Sequence, residues 1–200
     1  MTLNNLTEIL KTDVPSIEIK KNENEIFHMI PELEICKGFD QCNEWHPYDV
    51  YEHTLHVIDG VENNEILRMS ALFHDLGKPE TFELDKYGIG HFFNYWFVSK
   101  EIFEKFADEY NYDIEKRNTI SKLITYHDLN LGKIDRDLKK DILKIFSKEE
   151  LIMLYKLKRA DLLAQNPEYH YLLDEYDKQE KKYIKIYERK NQYGMHYKSN

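Results

Sequence analysis

The chain has 200 residues, of which 42% are hydrophobic and 14% aromatic, enough for one domain with a substantial core. Only seven glycines and five prolines favour long helices over a turn-rich sandwich, so the expected class is all-α. A net charge of -9 argues against nonspecific DNA binding as the main role, because neutralising phosphates takes concentrated Lys and Arg.

The opening MTLNNLTEILKTDVPS lacks a basic region followed by an apolar stretch, and no apolar run reaches membrane length. Together with Cys36 and Cys42, too few for a disulfide framework and read as reduced thiols, this leads us to expect a cytoplasmic protein without a membrane partner.

In chain order, Asn4 or Asn5 is a candidate cap for a short helix over Leu6 to Leu10, which Asp13-Val14-Pro15-Ser16 breaks. Glu25 to Ile30 reads as another short helix ending at Pro31, and Glu32 to Pro47 as irregular up to the Trp45-His46-Pro47 corner. Tyr48 to Asp59 carries Val50, His53 and Val57 on one stripe and Tyr51, Leu55 and Ile58 on the next, the pattern of a mostly buried helix with His53 pointing inward. His56 shares that side. A lone inward histidine is more often a hydrogen-bonded core residue than a ligand, and only the company of other clusters overturns that reading.

After Gly60, Asn63-Asn64 starts the helix in which Leu67, Ala71 and His74 recur at spacings of four and three, placing the imidazole on the apolar face. Asp75 is its neighbour, Gly77 stands where a left-handed C-cap is expected, and Pro79 prevents resumption. A cation held at this end would also meet the negative end of the helix dipole. Lys78 to Gly90 has Asp85-Lys86-Tyr87-Gly88 as a turn between extended pieces, a small β-hairpin near residues 81-92. Phe92 to Tyr110 reads as a thick aromatic helix, and Asp113 to Asp128 as a further one ending in a second His-Asp doublet, with His127 as a supporting ligand or substrate contact. Asp137 to Phe146 and Lys148 to Gln165 follow. The second of these carries Asp161 among Leu and Ala, an acid that needs a partner if buried, which a metal would provide.

Glu168 to about Tyr187 is the remaining helix. Residues 176-200 hold seven Lys or Arg against three Asp or Glu, interleaved with Tyr176, Tyr183, Tyr187, Tyr193 and Tyr197. Such a pattern can hold single-stranded nucleic acid by phosphate pairing and base stacking, although a solvated helix with an apolar tyrosine stripe accounts for it as well.

His53, His74, Asp75 and Asp161 together supply two imidazoles and two carboxylates from three helices. Nitrogen and oxygen donors without thiolate suit a divalent ion such as Mn, Fe, Ni, Co or Mg, with zinc also compatible. Such an ion can polarise a phosphoryl oxygen and activate water near neutral pH.

The segments IPELEICKGFDQ, HPYDVYEHTLHV, LRMSALFHDLGKPET, LITYHD and RADLLAQNP, spanning Ile30 to Pro167, resemble the HD-domain superfamily of metal-dependent phosphohydrolases. Within it they are similar to the HD domains of some bacterial CCA-adding tRNA nucleotidyltransferases. The likeness covers only the HD part, so tRNA synthesis is not among its implications. It implies a helical HD fold, phosphate esters as substrates, and a metal on His53, His74, Asp75 and Asp161. Lys78 is then expected to meet a substrate phosphate, Asp75 and Asp161 to serve catalysis, and His127 to lie near the site. The expected organisation is a lead-in over 1-22, an HD domain over 23-167, and a basic tyrosine-rich tail over 168-200.

The likeness breaks at one place. Members with a fuller ligand set have a histidine in a segment like GHFxGHExxS, and here Gly90 to Ser99 reads GHFFNYWFVS, with Tyr95 in the position of that histidine. A phenol of pKa about 10 is a poor substitute for imidazole at neutral pH. His91, one turn earlier if the helix includes it, and His127 are the substitutes, too few to fix a second ion against water, so one tight metal per chain is expected and any second ion is weak and dependent on these two. His91, His127 and Tyr95 are further candidates for contact with substrate. The expected function is hydrolysis of a phosphorylated small molecule, a nucleotide or an RNA phosphate end. A catalytically silent RNA-binding or tRNA-binding module and a paired-iron oxygenase of HD type are the alternatives.

Overall fold

The computed structural model describes residues 1-196, with side chains as far as Arg189. Helix α1 spans Leu3–Leu10 and is capped by Thr2, whose hydroxyl accepts from Asn5 N while the Asn5 side chain accepts from Thr2 N. The expected start at Leu6 with an Asn cap is therefore too late, since Asn5 sits at the third helical position of a capping box. The expected break at Pro15 is a beginning too. Pro15 opens α2 (Pro15–Lys21), and Pro31 opens the short α4 (Pro31–Ile35) after α3 (Glu23–Met29), because the first helical turn needs no N–H from the ring nitrogen.

Asp49 caps α5 (Val50–Gly60) and Asn64 caps α6 (Glu65–Phe73), each side chain accepting a backbone N–H of the first turn. The hairpin is present as β1 (Phe82–Leu84) antiparallel to β2 (Gly90–Phe92), with Glu83 opposite His91. Its Asp85 side chain accepts from the backbone of Tyr87 and Ile89 and so shapes the turn. Phe92 therefore belongs to a strand, and α7 (Tyr95–Glu109) starts only after Asn94 takes a left-handed φ of 60°. Asp113, Asp135 and Ser147 cap α8 (Ile114–Tyr126), α9 (Arg136–Ile145) and α10 (Lys148–Leu163). A 3-10 turn over Pro167–Leu172 leads into α11 (Leu173–His196).

Helices α5, α6, α8 and α10 pack on one another around fully buried Val57, Ile58, Leu72, Ile124, Leu154 and Leu157. Helices α1 and α2 cover α6 and α5, α7 lies against α8, and α11 runs along α10. The fold is all-α with one two-stranded sheet among the described residues. No described helix is long and apolar enough to cross a membrane.

The tyrosines of α11 are part of this packing. Tyr183 is buried with its hydroxyl donating to Leu131 O at 3.3 Å, and Tyr187 donates to Phe146 O at 2.7 Å. Lys178, Lys181, Lys182, Lys185 and Arg189 are exposed, so on α11 basic and aromatic side chains face apart. Tyr193 and Tyr197 lie outside the residues whose side chains are described.

Gly77 does not supply a left-handed cap. Helix α6 ends at Phe73 with His74 at the cap in right-handed geometry, and Gly77 has no positive φ. Its reason is close approach. A Cβ there would stand 2.6 Å from Ser99 N and 2.8 Å from Val98 Cβ, and would collide with Tyr95 O. Gly77 N instead donates to Ser99 Oγ at 2.9 Å, which docks the N-terminal part of α7 on the loop after the doublet.

Candidate metal centre and its cleft

Both His-Asp doublets sit at helix C-caps, where the same local bond orients both imidazoles. His74 Nδ1 lies 2.8 Å from Ala71 O, and His127 Nδ1 lies 2.7 Å from Ile124 O, three residues back in each case. A carbonyl can only accept, so Nδ1 carries the proton and Nε2 presents a lone pair. His53, in the middle of α5, points its Nδ1 at Ala164 O across the α5–α10 contact at 3.4 Å, which turns its Nε2 to the same place.

The result is a buried group of acceptors. His53 Nε2 and His74 Nε2 are 3.4 Å apart, and each is 3.3 Å from Asp75 Oδ2. Asp161 Oδ1, from the last turn of α10, is 3.1 Å from His53 Nε2 and accepts from Gln165 Nε2 at 3.0 Å. His53, His74 and Asp75 each offer one ligand atom, all within 4.8 Å of one another; Asp161 meets this group only from the His53 side. His53, His74 and Asp75 are at most 1% exposed, while the Asp161 side chain is 15% exposed and faces the cleft.

Neither oxygen of Asp75 accepts an aligned hydrogen bond, although Lys78 Nζ stands 2.7 Å from Oδ2. Burial disfavours the ionised carboxyl, but the charges of His74 and Lys78 outweigh it and hold Asp75 well below the usual carboxylate range. Burial likewise pushes His74 down, and the Asp75 charge reverses this to leave its pKa raised. Asp161 is also held below its ordinary value: burial opposes ionisation, and the bond to His53 overcomes it. Converging lone pairs and orphaned carboxylate oxygens in a dry site are unfavourable without a cation. The residues present therefore fit a divalent ion.

The structure spends the remaining candidates differently. Lys78 is 3% exposed: its ammonium donates to Gln41 Oε1 at 2.8 Å, lies 3.4 Å from His46 Nε2 and stands as an ion pair 2.7 Å from Asp75 Oδ2. It lies beside Asp75 at the floor of the cleft. Tyr95 is buried and brings its hydroxyl 3.0 Å from His127 Nε2, the lone pair that Nδ1 leaves available. Burial raises the Tyr95 pKa well above that of a free phenol, so the phenol keeps its proton. His127 Nε2 is also 3.6 Å from Asp75 Oδ1. His91 lies in β2 and not in α7, so it is not one helical turn from Tyr95; its half-exposed ring turns to Asp85 Oδ2 at 3.3 Å, on the cleft rim. His56 is exposed against the Tyr48 ring and away from the group.

Above the group opens a cleft of about 500 Å³. Several of its residues had no sequence signal beyond their neighbourhood. His46, from the corner before α5, donates from Nδ1 to Asn43 Oδ1 at 2.8 Å and presents Nε2 to Lys78; burial and then the Lys78 charge push its pKa down to about 2, so it stays neutral. Lys158 is buried one turn before Asp161, with Nζ donating to His127 O and to Leu129 O at 3.1 Å, and it closes the C-terminal end of α8. Trp45 stacks on Tyr169 at 3.5 Å, and Asn166 N donates to Trp45 O at 2.8 Å, tying the corner to the end of α10.

A helical domain whose central helices converge two imidazoles and an orphaned carboxylate beneath a cleft is a metal-site protein of the hydrolase type. The profile of the HD domain matches residues 45-186, and the chain belongs to that family. HD domains bind divalent metal ions and are in general metal-dependent phosphohydrolases.

Proposed function

We propose that this protein hydrolyses a phosphate ester on a nucleotide or an RNA end, with one divalent ion held by His53, His74, Asp75 and Asp161. The observation that carries this is the meeting of His53 Nε2, His74 Nε2 and the undonated Asp75 carboxylate at the floor of the cleft. When bound there, the ion would polarise a phosphoryl oxygen and lower the pKa of water. The ligands favour Mn, Fe, Ni, Co or Mg, and zinc is compatible.

The protein groups divide the rest of the work. Asp161, the most accessible of the four, orients the attacking water and accepts its proton, with Gln165 fixing the oxygen that does so. Lys78 aims Asp75 and balances its charge, while His46 and Gln41 aim Lys78. The Tyr95 bond to His127 occupies the lone pair that a second ion would need, which supports a single site. The resemblance to HD domains of CCA-adding enzymes favours a nucleotide or RNA ester over other phosphates.

One observation favours a second reading, an RNA-binding surface: Lys178, Lys181, Lys182, Lys185 and Arg189 stand exposed on α11 with no ion-pair partner among the described residues. Metal analysis of the purified protein and a screen of phosphorylated metabolites, cyclic nucleotides and RNA ends with Mn, Ni and Co separate the two. Turnover that disappears in Asp75→Ala supports hydrolysis. Silence with every metal and ester, together with RNA binding that survives His74→Ala, supports the surface.

A further inference from the structure

The cleft's own charges and donors narrow the substrate class of this site, an inference that rests on the phosphohydrolase reading. Two ammonium groups border the cleft, and both are spent. Lys78 donates to Gln41 Oε1, faces His46 Nε2 and has its charge matched by Asp75 2.7 Å away, and Lys158 has two carbonyls and the Tyr176 ring, 5.1 Å away. Among the described residues no arginine lines the cleft, and no other lysine does. Against them stand three carboxylates, Asp75 beneath the floor and Asp128 and Asp161 on the wall. The protein side of the site therefore carries a net charge of about one negative unit, and a divalent ion brings it to about one positive.

The outer wall is equally informative. Asn43 donates from Nδ2 to Gln41 O, while its Oδ1 accepts from Trp45 N and faces His46 Nδ1, so one amide N–H is left. Gln165 donates one amide hydrogen to Asp161 and leaves the other together with its oxygen, and Asn130 has its oxygen on Gly132 N and leaves both amide hydrogens. Asp128 is exposed with no side-chain hydrogen bond among the described residues. What remains open is a carboxylate, an amide oxygen and several neutral amide N–H groups, a set that pairs with hydroxyl groups and offers an anion no positive charge.

We infer that the substrate is a monoester bearing a single phosphate on a neutral, hydroxyl-rich body such as a nucleoside, and that the cleft rejects nucleoside di- and triphosphates. The phosphate meets the ion at the floor, and the hydroxyls meet Asp128 and Gln165. A second or third phosphate would face Asp128 with no free ammonium to receive it.

The test is calorimetric titration of the Mn-loaded full chain with non-hydrolysable phosphonate analogues of adenosine mono-, di- and triphosphate. The monophosphate analogue is expected to bind at least tenfold more tightly than the other two. In Asp128→Lys the gap should shrink, because the wall then offers a cation. Equal or tighter binding of the triphosphate analogue overturns this inference and leaves the phosphohydrolase reading standing, as does a gap unchanged in Asp128→Lys. Binding of none of the analogues to protein that retains Mn overturns both.

Discussion

Tyr95 and His127 are joined by a hydrogen bond of 3.0 Å in which the phenol donates to the only imidazole lone pair that Ile124 O leaves free. Tyr95 comes from the first turn of α7 and His127 from the cap of α8, so the bond also ties the two helices beside Asp75. Metal titration should give one tightly held ion per chain. Tyr95→His replaces the donor with a second ligand and should raise the stoichiometry towards two. Two equal ions in the unaltered protein would refute the single-site assignment.

Lys78 Nζ stands 2.7 Å from the Asp75 oxygen that also faces the His53 and His74 imidazoles, so a cation held by those residues would feel its charge. Removing the ammonium in Lys78→Met should relieve repulsion of the ion while leaving Asp75 unpaired in metal-free protein, a loss of about 3–5 kcal/mol for a broken buried pair. Urea unfolding with chelator should show that loss, and competition with a chelating dye should show tighter metal binding. Unchanged metal-free stability would mean that Lys78 does not balance Asp75.

The metal affinity should climb with pH. His74 has a pKa raised above its ordinary 6.5, so its proton competes with the ion until the pH passes that raised value, whereas Asp75, held low, stays ionised throughout. In metal-free protein the signs run oppositely. The raised His74 stabilises fully below about 6.5 and loses this as pH rises through its folded value, and the lowered Asp75 stabilises above about 3.8 and loses this as pH falls through its own. Metal-free stability should therefore be greatest between these limits. An affinity flat from pH 6 to 9 would contradict the His74 part.

Gly77→Ala should destabilise by about 1–3 kcal/mol, the range for overpacking. The added methyl has backbone on two sides, Tyr95 O and Ser99 N, and can be accommodated only by moving α7. Tyr95 would move with it, so tyrosine fluorescence and urea midpoint should shift together. A neutral midpoint would show that α7 is free to slide.

Helix identity was largely legible in the chain because buried faces repeat at the helical period: the stripes of Val50, His53 and Val57, and of Leu67, Ala71 and His74, are each buried where expected. Boundaries were less so. Pro15 and Pro31 read as stops because the missing N–H forbids an interior position, yet the same feature suits a first turn, and only the packing of α2 on α5 and of α4 on α3 decides between the two.

The sequence by itself determined the all-α class, the hairpin, and the helices that carry His74-Asp75 and His127-Asp128, since periodicity and turn chemistry are local; the caps expected at Gly77 and near Asn5 lie elsewhere. The tertiary structure alone decided how the donors are shared. That Lys78 turns to Asp75, that His46 and Gln41 hold it, that Lys158 closes the end of α8, and that Tyr95 takes the lone pair of His127 all depend on which buried groups face each other across separate elements. A residue type states how many hydrogen bonds it can make. Only the fold states with whom, because desolvation inside the core forces each buried polar atom to find its partner among whatever the packing brings within reach.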